Sequence, residues 1–252
     1  MTESILDLLE ARHGIVCTVG AGGKKTTIYR LAAAHPGKVG ITTTVYMAPF
    51  PRDLQAARVV VPQAELAAAL AASARENRQV VFACPSEKKE RLGGLARDFV
   101  QPLHQTGGFD LTLVKADGAR MRQIKAPAAQ EPNIPVGADV VLFLVSAGAI
   151  GQPLDEAVAH RVECLESVTG ARRGEPIEPR HVARLLTATA GARQNVRDAL
   201  LIPIINQVDT PERRQQARAV AEQALAEGDF LDRIVLTSMH EADPVVDVIW
   251  RN

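Results

Sequence analysis

Short apolar runs recur along this chain, and most are continuous rather than alternating: Ile15 to Val19, Lys38 to Val45, Val59 to Val61, Gln79 to Ala83, Asp110 to Val114, Asp139 to Val145, Ala199 to Ile205 and Arg233 to Thr237. Unbroken apolarity over strand length marks strands covered on both faces, the pattern of a parallel sheet. Between these runs lie stretches with helical spacing or propensity. They are a short opening helix around Leu6, Leu8 and Leu9 ended by Gly14, Ile28 to Ala34, Pro62 to Glu76, and a charged helix from Glu87 bent at Gly93-Gly94. Further on come a helix capped by Asp155 that runs to Val168 and carries His160-Arg161, then Pro179 to Leu186, and Pro211 to Glu227. Arg233 to Thr237 is read as the last strand. Strands alternating with helices predict an α/β fold: a three-layer, mostly parallel sheet with helices on both faces, P-loop NTPase-like. Residues 1–252 are read as a single domain with a small helical insertion around 147–195.

A chain of 252 residues can bury a substantial core. Charge changes the picture by exclusion: 29 basic residues balance 29 acidic ones, so no global field favours nucleic acid or an anionic membrane. Three widely spaced cysteines (Cys17, Cys84, Cys164) argue against a disulfide framework, and the six histidines show no metal-site spacing. Cys17 reads as core; Cys84, at a strand end before Pro85, is the thiol with more scope for reactivity. With no signal peptide and no spanning apolar run, a soluble cytoplasmic protein is expected.

The most informative stretch follows the first strand. Val19-Gly20-Ala21-Gly22-Gly23-Lys24-Lys25-Thr26-Thr27 puts three glycines into four residues and leads into a helix. A strand that feeds such a bend into a helix aims backbone N–H groups and the positive helix end at phosphate, with a lysine for the outer phosphates and a hydroxyl for Mg²⁺. Aligning Gly23-Lys24 on the Gly-Lys pair of a P-loop places Thr18 at the first glycine position and Lys25 at the hydroxyl position. Thr26 or Thr27 then supplies the hydroxyl, or a water does. The alternative is a plain glycine-rich turn with solvated lysines.

Four other constellations fall at predicted strand ends or loops. Asp117, in Lys115-Ala116-Asp117-Gly118, stands where open α/β sheets bind ligands and can hold Mg²⁺ opposite the loop hydroxyl; an Asp-Gly turn is the bland reading. Thr42-Thr43-Thr44 can offer Thr43 and Thr44 to a γ-phosphate or a metal-bound water, or can simply pack. Asn206-Gln207-Val208-Asp209 resembles the base-reading N-K-x-D element of GTPases, with Thr237-Ser238 available to complete a base pocket; a helix cap before Pro211 is the alternative for Asp209. Arg120, Arg122, Lys125 and Glu131 line a proline-stiffened loop suited to binding. His160-Arg161 reads as a helix-face pair.

Taken together, these residues resemble the YqeC family, accessory proteins for selenium-dependent molybdenum hydroxylases. The resemblance rests on Val19 to Lys24, Thr42-Thr43-Thr44, Ala116-Asp117-Gly118-Ala119-Arg120, Ile124 to Ala128, Glu131-Pro132-Asn133-Ile134-Pro135, His160-Arg161 and Asn206 to Asp209. Four positions depart from the family pattern: Lys25 at the usual threonine, Lys115 where glutamate is expected, Gln130 where histidine is expected, and Gln207 for lysine. They point to weakened hydrolysis, or to a branch that uses the fold mainly to bind.

The resemblance implies a role in making or inserting a selenium-containing molybdenum cofactor, with a molybdenum hydroxylase or a selenium-delivery protein as partner. The expected ligands are ATP or GTP with Mg²⁺. Lys24, Asp117 and Arg120 are the expected catalytic residues, and Thr26 and Asp117 the metal ligands. The nucleotide would be held by Gly20, Ala21, Gly22, Gly23, Lys24, Lys25, Thr26, Thr27, Thr43, Thr44, Lys125, Glu131, Arg161, Asn206, Asp209 and Ser238. Two other functions fit the same residues: a non-catalytic, nucleotide-gated cofactor carrier or chaperone, and a small-molecule kinase.

Overall fold

A computed structural model describes residues 4–51 and 53–251. In chain order the elements are α1 (Ile5–Leu8), β1 (Gly14–Gly20), α2 (Lys24–Ala34), β2 (Val39–Thr43), β3 (Ala57–Val60), α3 (Gln63–Glu76), β4 (Gln79–Ala83), α4 (Val100–Gly107) and β5 (Leu111–Lys115). They continue as β6 (Ile124–Lys125), β7 (Val140–Ser146), a 3-10 turn (Ala147–Ala149), β8 (Ala159–His160), α5 (Val162–Thr169), α6 (Pro179–Thr187), β9 (Leu200–Asn206), α7 (Pro211–Glu227), β10 (Arg233–Thr237) and β11 (Val245–Trp250). Among the described residues, nine strands form one sheet in the order β11-β10-β9-β7-β1-β5-β2-β4-β3, and β6 and β8 form a separate pair. The expected α/β class, a mostly parallel sheet with helices, is the one observed. The unbroken apolar runs have their cause in burial: every residue of β2, β4, β7 and β10 is buried.

Chain contacts group the residues into two units, one of Met1–Thr18, Thr27–Gly118 and Asn133–Val140, the other of Val19–Thr26, Ala119–Pro132 and Val141–Asn252. In the first unit α3 turns Leu66, Leu70 and Ala74 inward, a stripe at helical spacing, and Phe82 stacks on Phe109 with ring centroids 6.0 Å apart. There β1 runs parallel to β5, with Gly14 opposite Leu111 and Thr18 opposite Lys115. The ends of both strands therefore open on the same edge. In the second unit α7 starts at a Thr210 cap with Pro211 in its first turn and buries Ala217, Val220, Ala221, Ala224 and Leu225.

Four local expectations are corrected. Gly14 opens β1 instead of ending a helix, and α1 is a single turn. No helix starts at Glu87: Leu92 and Gly93 are extended and bridge to Met47 and Cys84, and the next helix begins at Val100. Those backbone groups pair with distant strand ends, which local propensity does not register. Asp155 caps only a turn, its Oδ1 accepting from Ala157 N (2.8 Å) and Val158 N (3.0 Å). The chain then forms β8 and turns through a left-handed Arg161 (φ 66°) before α5, so His160-Arg161 does not lie on a helix. Finally, β10 is not the last strand. Val245–Trp250 pairs with it antiparallel and ends the sheet order, half-exposed along most of its length.

Candidate nucleotide-binding site

In the second unit, β1 delivers the glycine loop against β7. Ala21 N donates to Leu144 O (2.8 Å), and a side chain on Gly20 would fall 2.3 Å from that same oxygen. Gly23, at φ +119°, has its would-be Cβ 2.3 Å from Asn206 Nδ2. Only glycine satisfies both the backbone conformation and the approach. Lys24 opens α2, is buried, and donates from Nζ to Gly20 O, so its ammonium curls over the loop. The first turn of this 11-residue helix holds no acid, leaving its positive end to Lys24, Lys25 and the loop. Lys25 is exposed and Thr26 half-buried, while Thr27, counted with the first unit, is fully buried.

Asn206 ties this loop to two others. Its Nδ2 donates to Gly22 O (2.8 Å), and its Oδ1 accepts from Thr237 Oγ1 (3.0 Å) and Met239 N (3.2 Å), all with the residue 2 % exposed. Each buried bond here would be costly to leave unmade, so three segments distant in sequence are held in one arrangement. Asp209, three residues on, accepts from Ser238 Oγ (2.6 Å) and pairs with Arg213 Nη1 (3.2 Å). Thr210, not Asp209, caps α7, which removes the helix-cap explanation of that aspartate. Gln207, in the left-handed region at φ 62°, accepts on Oε1 from Ser146 Oγ. A lysine could not accept there, so the departure at position 207 is matched by the serine that ends β7.

A third cluster in the same unit surrounds Glu131. Lys125 Nζ lies 2.7 Å from its Oε2 with the lysine side chain 1 % exposed, and Arg161 grips both oxygens (2.9 and 3.1 Å). Burial by itself would raise the Glu131 carboxyl, but the hydrogen bonds from Arg161 and Lys125 outweigh it and hold the pKa at about 2. Desolvation, then the charges of Lys125, Arg161 and Arg120, press the His160 imidazole down to about 4, so it is neutral at pH 7. Gln194 Nε2 (2.6 Å) and Asn195 Nδ2 (2.9 Å) donate to Glu131 O and fix the loop from outside. Arg120 itself is exposed, and it and Met121 both take positive φ (46° and 62°). Such strain is held only where surrounding structure imposes it.

The first unit contains the other expected residues. The Thr43 hydroxyl donates to Lys115 O (2.9 Å) or Val45 O (2.9 Å), and that of Thr44 to Asn133 O (2.6 Å). These protons therefore serve the backbone, and only the oxygen lone pairs remain for a ligand. Asp117 lies just beyond β5 and is 2 % exposed, with Lys115 Nζ donating to its backbone oxygen (2.6 Å). Among the described residues no three His, Cys, Asp or Glu side chains form a metal cluster, and no helix is long and apolar enough to cross a membrane. Burial raises the pKa of both Cys17 and Cys84, the opposite of thiol activation.

Sequence reasoning missed Ser146, Gln194, Asn195 and Arg213. Ser146 had one usable signal, since it closes an apolar strand with a hydroxyl. Gln194 and Asn195 had none.

With this geometry in view, the similarity to known proteins is informative. The model described as "YqeC protein" matches residues 16–163, more than half of the chain. The YqeC protein of Escherichia coli (strain K12) is 26 % identical over 204 residues, covering 76 % of this chain and 75 % of that protein.

Proposed function

We propose that this chain, which belongs to the YqeC family, binds a nucleoside triphosphate on the loop Gly20–Lys24 and acts as an accessory protein in the maturation of molybdenum hydroxylases. One observation carries the nucleotide reading. Asn206, at the end of a neighbouring strand, is spent on fixing the Gly22 carbonyl and two residues of a third loop. A decorative turn has no need of a buried three-bond anchor, whereas a phosphate cradle must be held in place before its ligand arrives.

In this reading Gly20, Ala21, Gly22 and Gly23 wrap the phosphates while Lys24 leaves Gly20 O for the β- and γ-oxygens. Lys25 and the first turn of α2 add positive potential. Mg²⁺ takes few protein ligands; the Thr26 hydroxyl would be one of them, and the ion would neutralise phosphate charge. Arg120 would meet charge developing on the γ-phosphoryl group. The test is calorimetry with ATP and GTP, with and without Mg²⁺, on the wild type and on Lys24→Ala. Micromolar-range binding that weakens at least about tenfold in a folded variant is expected; equal affinities would remove the assignment.

A carrier without turnover is the second reading, favoured by two lysines. Lys25 occupies the place of the metal-binding hydroxyl, and Lys115 lays an ammonium on the Asp117 backbone. Tight binding with no phosphate release at saturating nucleotide supports the carrier, and steady release supports the hydrolase. Family membership is what supports the pathway, including a selenium-delivery protein or a hydroxylase as partner.

A further inference from the structure

We infer that Asp209 selects guanine, so that the nucleotide taken up is GTP and not ATP; this rests on the reading of Gly20–Lys24 as a phosphate cradle. Asn206 joins β9 to that cradle through Gly22, and the same short loop carries Asp209 three residues beyond. The two side chains are treated differently by the fold. Asn206 is 2 % exposed and engaged through both ends of its amide, while the Asp209 side chain is 46 % exposed and open to a ligand.

Ser238 Oγ donates to Asp209 Oδ1 at 2.6 Å, which fixes the plane of the carboxylate and still leaves that oxygen a lone pair. The other oxygen meets Arg213 at 3.2 Å, and Arg213 also reaches Gln207 O at 3.3 Å. An ion pair this exposed contributes little, so the guanidinium can swing aside at small cost. The α7 helix does not require Asp209, because Thr210 accepts from Arg213 N. A carboxylate oriented by a hydroxyl, open on its outer side and carried on a loop tethered to the phosphate cradle therefore keeps acceptor capacity that the fold does not use up.

A carboxylate presents two parallel acceptors. Guanine answers with two adjacent donors, its N1–H and its 2-amino group, giving a bidentate charge-assisted pair. Adenine and cytosine place a ring lone pair where the carboxylate needs a proton, and hypoxanthine offers only one of the two donors. An acceptor that a bound base covers and leaves unmet is what generates discrimination.

The experiment measures the affinity of GTP, ITP, XTP and ATP for the wild type and for Asp209→Asn by calorimetry. The wild type should bind GTP at least about tenfold more tightly than ATP, with ITP between them. Asp209→Asn should weaken GTP at least about tenfold and strengthen XTP, whose 2-oxo group accepts from the new amide. That exchange of preference is something a merely structural aspartate would not produce. Equal binding of ATP and GTP by the wild type, or a variant with GTP and XTP affinities unmoved, overturns guanine selection alone. Failure of the wild type to bind any of the four overturns the phosphate-cradle reading and this inference with it.

Discussion

At the scale of single residues, Gly23 shows how little freedom the loop has. Its φ of +119° and the 2.3 Å approach of Asn206 Nδ2 leave no volume for a methyl group. Gly23→Ala is therefore expected to push Asn206 off Gly22 O and to weaken triphosphate binding at least about tenfold, comparable to losing one buried hydrogen bond. Circular dichroism should remain native, because the strain is confined to a loop. Retained affinity would show that the glycine answers a purely structural need. His160 makes a related point about context. As a half-buried imidazole among Lys125, Arg161 and Arg120 it stays uncharged at neutral pH, so it brings a hydrogen-bonding group but no further positive charge to that cluster.

At the scale of elements, the Glu131 loop is held by charge. The Glu131 pKa falls from an ordinary 4.5 to about 2 in the folded chain, so folding favours the ionised form. The sign follows directly: the contribution to stability is complete above the unfolded value, and it fades as pH drops from about 4.5 to about 2. The shift corresponds to an upper figure on the order of 3 kcal/mol. Urea unfolding of the wild type and Glu131→Gln at a series of pH values checks it. The difference between the two should be largest near pH 7 and should shrink toward pH 3; a constant difference would remove electrostatics as its source. The partners could not be foreseen locally, since Lys125, Glu131 and Arg161 come from β6, a coil and the turn before α5.

At the scale of the whole molecule, a ligand that binds only the folded chain must raise its stability. MgGTP at a hundred times its Kd should add about 2.7 kcal/mol to the urea unfolding free energy. An unmoved transition would contradict specific binding. The architecture was legible because burial on both faces writes itself into sequence as unbroken apolar runs, as in β2, β4, β7 and β10. β11 escaped because it is half-exposed and carries Asp247, which takes ion pairs from Arg214 and Arg218 on α7. The coil before α4 escaped because Leu92 and Gly93 are fixed by distant Met47 and Cys84. Within the candidate site the glycine loop was readable, being contiguous. The Asn206 element could be seen only as a short motif, and its anchoring to Gly22, Thr237 and Met239 needed the fold.

On the function proposed above, the Lys24 ammonium resting on the Gly20 carbonyl would make ligand entry a substitution rather than a simple addition. An incoming anion would have to draw the ammonium off that carbonyl, and its success would rise with the density of negative charge it brings. Nucleoside monophosphates would be poor competitors on those terms and triphosphates good ones, so the loop would grade nucleotides by phosphate number before any base is inspected.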